Sequence, residues 1–181
     1  GVVASGGFTV NGNTTNSCIS VTGAINASGG VGGVLLNGRN VAVTANILSA
    51  AGDIAIYGNG GGVYQAGAFD GVRISGSGVN VSTTGGNITL DGQGGGGSVH
   101  KGVNITSAQV ATTGSGAVTI TGVSGNGSTN NAYGIFNFAA CVTTVNGALT
   151  INGTSCGTIL GSVGVVLFSS TKVLSTGSGN V

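Results

Sequence analysis

The chain repeats itself at a period close to 31 residues, and this repeat constrains its fold more than any other feature. Segments that open with Gly-Val or Gly-Ile begin at Gly33, Gly71, Gly102, Gly134 and Gly164, which are 38, 31, 32 and 30 residues apart. An earlier unit is visible only through its end, Ser5 to Gly12, and the stretch from Cys18 to Gly30 fits poorly. The sequence predicts one domain with units at 1–32 (irregular), 33–70, 71–101, 102–133, 134–163 and 164–181 (partial).

Each unit contains three short segments with the character of β-strands, and the third segment alternates aliphatic residues with Thr or Ala. Alternation with a period of two places the aliphatic side chains on one face of a strand and the others on the opposite face. We therefore predict an inward core ladder of Ile54, Ile56, Ile88, Leu90, Val118, Ile120, Leu149 and Ile151. The same pattern predicts an outward Thr column of Thr9, Thr89, Thr119 and Thr150.

Stacking the units is the way in which such short strands bury their inner faces. The sequence thus predicts an all-β fold, a β-solenoid of the right-handed single-stranded β-helix type, with about 30–32 residues per coil and five to six coils. The 40 Gly residues suit the corners between strands, and the absence of Pro suits fully hydrogen-bonded strands. A sandwich or barrel is the alternative, and it predicts hairpin turns without a fixed period.

The GVxI start, the Val-x-(Ser/Thr)-Thr middle and the GNITLDGQGGG ending (86–96) resemble the β-strand repeats of large bacterial surface proteins. These include filamentous-haemagglutinin-like adhesins, autotransporter passenger domains and giant repeat proteins. The resemblance implies an exported, cell-surface or secreted rod with an adhesive, scaffolding or filament role, and no catalytic residues carry over from it. The chain opens inside one unit and stops at the start of another strand, so we expect either more chain or docking of neighbouring copies there.

Residues that carry chemistry are scarce. Glycoside hydrolysis needs two carboxyl groups about 5–10 Å apart, and the only acids are Asp53, Asp70 and Asp91. Asp53 and Asp91 are expected in different columns, as turn residues, although Asp70 in the loop between them is able to approach either. His100, the single histidine, is expected to be a solvated loop residue. We therefore expect no enzyme, no cofactor and no metal site.

The three cysteines allow two arrangements. A disulfide between Cys141 and Cys156, half a coil apart, is one, and export would permit it. In the other, Cys141 replaces an apolar core residue. Cys18 is left over in either arrangement, free or bonded to another chain.

The expected function is structural: an extracellular rod, fibre or filament built by coil stacking and self-association. Only seven residues are charged, whereas charge normally keeps proteins apart in solution. The alternative is a soluble binding rod, for cell-surface glycans or ice, that acts through its loops or its outward Thr column. Four scattered cations predict no nucleic-acid partner, and no apolar run is long enough for a membrane-spanning helix.

Overall fold

The fold was analysed in a computed structural model, which describes residues 1–12, 16–59, 65–96, 99–126, 132–157 and 161–181. It is an all-β solenoid of about five turns, built from three parallel sheets that each take one strand from every coil. The predicted solenoid fold is therefore confirmed. Among the described residues, no helix is long and apolar enough to cross a membrane.

The chain visits the three sheets in a fixed order, and each strand pairs with the strands one coil before and after it. Sheet A contains β1 (Val2–Val3), β4 (Ile25–Ala27), β7 (Ile47–Ser49), β10 (Asn80–Thr83), β13 (Gln109–Thr112), β16 (Cys141–Thr144) and β19 (Lys172–Ser175). Sheet B contains β2 (Phe8–Asn11), β5 (Val34–Gly38), β8 (Ile54–Gly58), β11 (Ile88–Gln93), β14 (Val118–Val123) and β17 (Leu149–Thr154). Sheet C contains β3 (Cys18–Val21), β6 (Asn40–Val43), β9 (Val72–Ser75), β12 (Val103–Thr106), β15 (Tyr133–Phe138) and β18 (Val163–Phe168).

The hydrophobic core fills the space between the three sheets. On sheet B the structure places two in-register inward columns, and seven of the eight residues of the core ladder are at most 4% exposed. The eighth, Ile151, lies in the last strand of that sheet, where it is half-buried and packs against the core. Parallel strands stack about 4.8 Å apart, so each inward side chain contacts its counterparts in the adjacent coils.

The phase of the repeat differs from the sequence interpretation in the first units. Val34–Gly38 pairs in register with Ile54–Gly58 on sheet B, so it is equivalent to the third strand of a unit rather than to the first. The first strand is the next one, Asn40–Val43, which pairs with Val72–Ser75 on sheet C. The poorly fitting stretch after Cys18 likewise forms regular strands of sheets C and A.

Glycine marks the corner at which sheet B leads into sheet C. An in-register column of Gly38, Gly58, Gly92, Gly122 and Gly153 ends or nearly ends the strands of sheet B. A Cβ atom on Gly92 would collide with the carbonyl oxygen of Gly102, and one on Gly122 with that of Gly134. Two backbone segments approach so closely here that only glycine fits.

Buried hydroxyl groups mark the corner at which sheet A leads into sheet B. Ser49 Oγ donates to the carbonyl of Gly52 at 2.8 Å, and Thr83 Oγ1 donates to that of Ala50 at 3.0 Å. Thr112 Oγ1 repeats the contact with the carbonyl of Gly116 at 2.7 Å. The first Thr of the pairs Thr83-Thr84 and Thr112-Thr113 is thus an inward residue that donates to a turn carbonyl.

One inward position of sheet C is polar where its in-register neighbours are apolar. The inner column of sheet C runs Val43, Ile74, Ile105, Asn137 and Leu167. Asn137 is fully buried, and neither its Nδ2 nor its Oδ1 atom has a hydrogen-bond partner among the described residues.

Candidate functional site on the outer face of sheet C

The carboxylates of Asp53 and Asp70 each accept hydrogen bonds from the next coil. Asp53 Oδ1 accepts from the backbone N–H of Asn87 at 2.7 Å and from its Nδ2 at 3.2 Å. Asp70 Oδ1 accepts from the backbone N–H of Lys101 at 2.9 Å, and its Oδ2 accepts from Asn104 Nδ2 at 2.7 Å. These are charge-assisted bonds between residues more than 30 positions apart, so both acids fasten one coil to the next.

Asp91 has a different environment. It lies inside β11, in an outward column between Tyr57 and Thr121, and not in a turn as the sequence suggested. Partial burial desolvates this carboxyl group and raises its pKa above the usual value of 3.8. Asp53 precedes β8 whereas Asp91 lies near the other end of its strand, so the two acids occupy different columns, as expected.

His100 lies outside the strands, as expected, but it is half-buried rather than fully solvated. Its side chain is 20% exposed, and its Nδ1 lies 4.0 Å from Asp70 Oδ1. The cause is visible in the neighbouring coils, because the His100 carbonyl accepts a hydrogen bond from the N–H of Gly125 at 3.1 Å. This contact ties residue 100 to the stack rather than leaving it at a loop tip.

Four of the eight aromatic residues form an aromatic strip on the outer face of sheet C: Tyr133, Phe136, Phe138 and Phe168. Their ring centroids are 5.4, 6.4 and 5.8 Å apart in that order, and the ring planes are within 26° of parallel. Phe138 and Phe168 face each other across adjacent coils. The sequence analysis missed this strip, although stacking the GIFNF and GVVLF segments aligns their last residues.

Two of the four cations lie on the same face as this strip. Arg73 is exposed in the same outward column as Asn104 and Phe136, and Lys101 Nζ lies over the Phe136 ring, 5.2 Å from its centre. Arg39 lies several coils away, over the Phe69 ring at 4.5 Å. Asp70 is the acid next to Lys101, through the hydrogen bond to its backbone N–H.

The outward Thr column on sheet B is interrupted. In register, it runs Thr9, Leu35, Ala55, Thr89, Thr119 and Thr150. The adjacent outward column runs Asn11, Asn37, Tyr57, Asp91, Thr121 and Asn152. A regular ice-binding face needs two matched files of Thr, and this face lacks them.

The possible disulfide between Cys141 and Cys156 is not formed in this structure, where both thiols are free. Cys141 is a half-buried residue of sheet A between Gln109 and Lys172. Cys156 is exposed after the last strand of sheet B, where its backbone N–H donates to Ser124 Oγ at 2.8 Å. The two residues belong to different sides of the solenoid. Cys18 is also free and exposed.

No group of three or more His, Cys, Asp or Glu side chains in the described part of the chain is placed to hold a metal ion. Comparison with known proteins found no family model, no curated protein and no solved structure that matches the chain.

Proposed function

We propose that this chain is a structural segment of an extracellular or cell-surface rod that associates with further copies of itself. The observation that supports this most is the continuity of the ladders: aliphatic, glycine and hydroxyl columns run through successive coils with few interruptions. Five coils of this kind give a stack on the order of 25 Å long, which lengthens with every coil or copy that is added. Its regularity suits a load-bearing or scaffolding role.

The use of the few charged groups supports the same function. Two of the three carboxylates accept hydrogen bonds that join successive coils. Catalysis on polysaccharides would instead use free carboxyl groups that converge on a substrate. The acids therefore contribute to the cohesion of the rod.

Self-association is supported by the low charge of the outer surfaces. Only 4% of the residues are charged, against about 25% in an average soluble domain. The sole charged residue in the two outward columns of sheet B is Asp91. Two such faces can approach without appreciable repulsion. Adhesive contacts and a bacterial surface location, as in haemagglutinin-like and autotransporter proteins, rest on the repeat motifs alone.

Sedimentation velocity over a range of protein concentrations tests the proposal. The wild-type chain is expected to form larger species as its concentration rises. A Thr119→Lys, Thr150→Lys double variant places two charges on the face of sheet B and is expected to shift the distribution toward monomer. The matched control is Ser115→Lys, Ser178→Lys, which adds the same charge at exposed turn positions. A wild type that stays monomeric at all concentrations, or equal effects of the two variants, would contradict the proposed association through this face.

A further inference from the structure

We propose that the outer face of sheet C binds a linear polysaccharide that carries carboxylate groups on some of its sugars. The aromatic strip stacks on the sugar rings, and Arg73 and Lys101 pair with the carboxylates. This activity is additional to the structural role and does not depend on whether copies of the chain assemble.

The aromatic strip provides the stacking surface. Centroid separations of 5.4 to 6.4 Å between nearly parallel rings place neighbouring rings in an offset arrangement. Each ring therefore leaves part of its face uncovered by the next, and Phe168 is 59% exposed. A hexose ring has an apolar C–H face, and the negative face of an aromatic ring attracts such polarised hydrogens.

Polar side chains occupy the two outward columns of sheet C that contain Phe136 and Phe138. Arg73 and Asn104 precede Phe136 in one column, and Ser75 and Thr106 precede Phe138 in the other. Sugar hydroxyls both donate and accept hydrogen bonds, as do Asn, Ser and Thr side chains. A chain that lies along the solenoid axis would thus pass from aromatic to hydrogen-bonding residues within a few coils.

Asp70 anchors the segment that carries Lys101. This carboxylate fixes the backbone of Lys101 and the side chain of Asn104 through separate oxygens. Lys101 Nζ lies over the Phe136 ring, 5.2 Å from its centre, while the exposed guanidinium of Arg73 offers paired donors to a carboxylate. Asp70 is a positioning residue here, since its own oxygens are occupied.

The charge density favours a sparsely charged polysaccharide over other anionic polymers. Arg73 and Lys101 against Asp70 leave this face with a formal net charge of +1. Recognition of anionic lipid surfaces usually takes clusters of about four to eight Lys or Arg residues. Nucleic-acid binding domains are likewise strongly basic. One net charge beside four aromatic rings matches a polymer in which neutral contact surface exceeds charge.

Titration calorimetry with partially methyl-esterified polygalacturonate, a linear polymer that carries free carboxylates on only some of its sugars, tests the proposal on the full chain. We expect binding that Arg73→Gln and Lys101→Gln each weaken about tenfold, as the loss of one charge-assisted contact does. Phe138→Ala is expected to weaken it by a similar factor. Lys172→Gln is the matched control, because it removes the one cation that lies on sheet A, and its affinity should equal that of the wild type.

Further binding measurements distinguish the proposed polysaccharide from uncharged polysaccharide, nucleic acid and lipid surfaces. Fully methyl-esterified polygalacturonate has the same backbone without the charge and should bind less tightly than the partially esterified polymer. The proposal is overturned if the wild type does not bind the partially esterified polymer, or if Lys172→Gln weakens binding as much as Lys101→Gln. Equal or tighter binding of single-stranded DNA or of anionic phospholipid vesicles would also overturn it. Arg73 is exposed and outside the core, so its variant tests the face even where an aromatic variant fails to fold.

Discussion

Replacing Asn137 by Leu should stabilise the solenoid, because this residue is the polar interruption of an otherwise apolar inward column. Leu has a similar branched shape, and the in-register neighbours on either side are Ile105 and Leu167. The buried amide has no hydrogen-bond partner among the described residues for either polar atom. An unsatisfied buried group costs about 1–3 kcal/mol, and imperfect fit of a substituted core side chain costs up to about 1.5 kcal/mol.

Removing the two unsatisfied amide atoms stabilises the variant, and the imperfect fit of Leu offsets part of that gain. The expected net stabilisation is about 2 kcal/mol. In a domain of this size that corresponds to a rise in Tm of about 4–8 °C. Thermal unfolding followed by circular dichroism measures it, with the reverse change Ile105→Asn in the adjacent coil as the control. That control should lower the Tm. An unchanged or lower Tm for Asn137→Leu would refute the reasoning that the column is a continuous apolar core.

Four further substitutions test other parts of the solenoid: a core column, a glycine corner, a buried hydroxyl group and a partly buried carboxyl group. Ile120→Asp places a carboxylate in the fully buried column of sheet B and should cost more than about 4 kcal/mol; unchanged thermal stability would disprove the core assignment. Gly122→Val should prevent native stacking at the corner with Gly134, which limited proteolysis would detect as new cleavage near this coil. Thr83→Val removes the hydroxyl that donates to the carbonyls of Ala50 and Gly52, and it leaves the N–H of Gly86 without its acceptor. It should lower the free energy of unfolding in urea by about 1–2 kcal/mol, and no loss would exclude a role for the hydroxyl ladder. Asp91→Asn should raise the Tm at pH 7, because burial penalises the charged form of this carboxyl group and raises its pKa above 3.8 in the folded chain. The difference in Tm between the variant and the wild type should shrink as the pH falls through the raised pKa, and it should vanish below pH 3.8. A difference that does not depend on pH would contradict this cause.

The repeat was sufficient to predict the solenoid, because each unit carries the same alternation and a stack is the arrangement that buries every inner face. The phase of the first units was harder to read. The segment at Val34 follows a glycine, as the segment at Val72 does, so the two look alike at their starts. The residues that follow decide to which sheet the segment at Val34 belongs, because Leu36-Asn37-Gly38 matches Ile56-Tyr57-Gly58 of sheet B. The corner glycine, rather than the initial one, is the reliable marker of phase.

The candidate site was less predictable, because its members come from different coils. Asp70, Lys101 and Phe136 lie at or just before three successive strands of sheet C, and only stacking in register brings them to one face. The environment of His100 depended on a backbone contact with Gly125 in the following coil, which no local pattern encodes. Features that repeat in every unit were readable, whereas features that occur once required the three-dimensional stack.

Two features are central to the proposed function: coils that stack coaxially and copies that associate. Cryo-electron microscopy of the concentrated wild-type chain tests both directly. It should show ordered assemblies whose averaged images or power spectra contain a spacing of about 4.8 Å, the distance between adjacent parallel strands. Dispersed single particles, or assemblies that lack this spacing, would contradict both features.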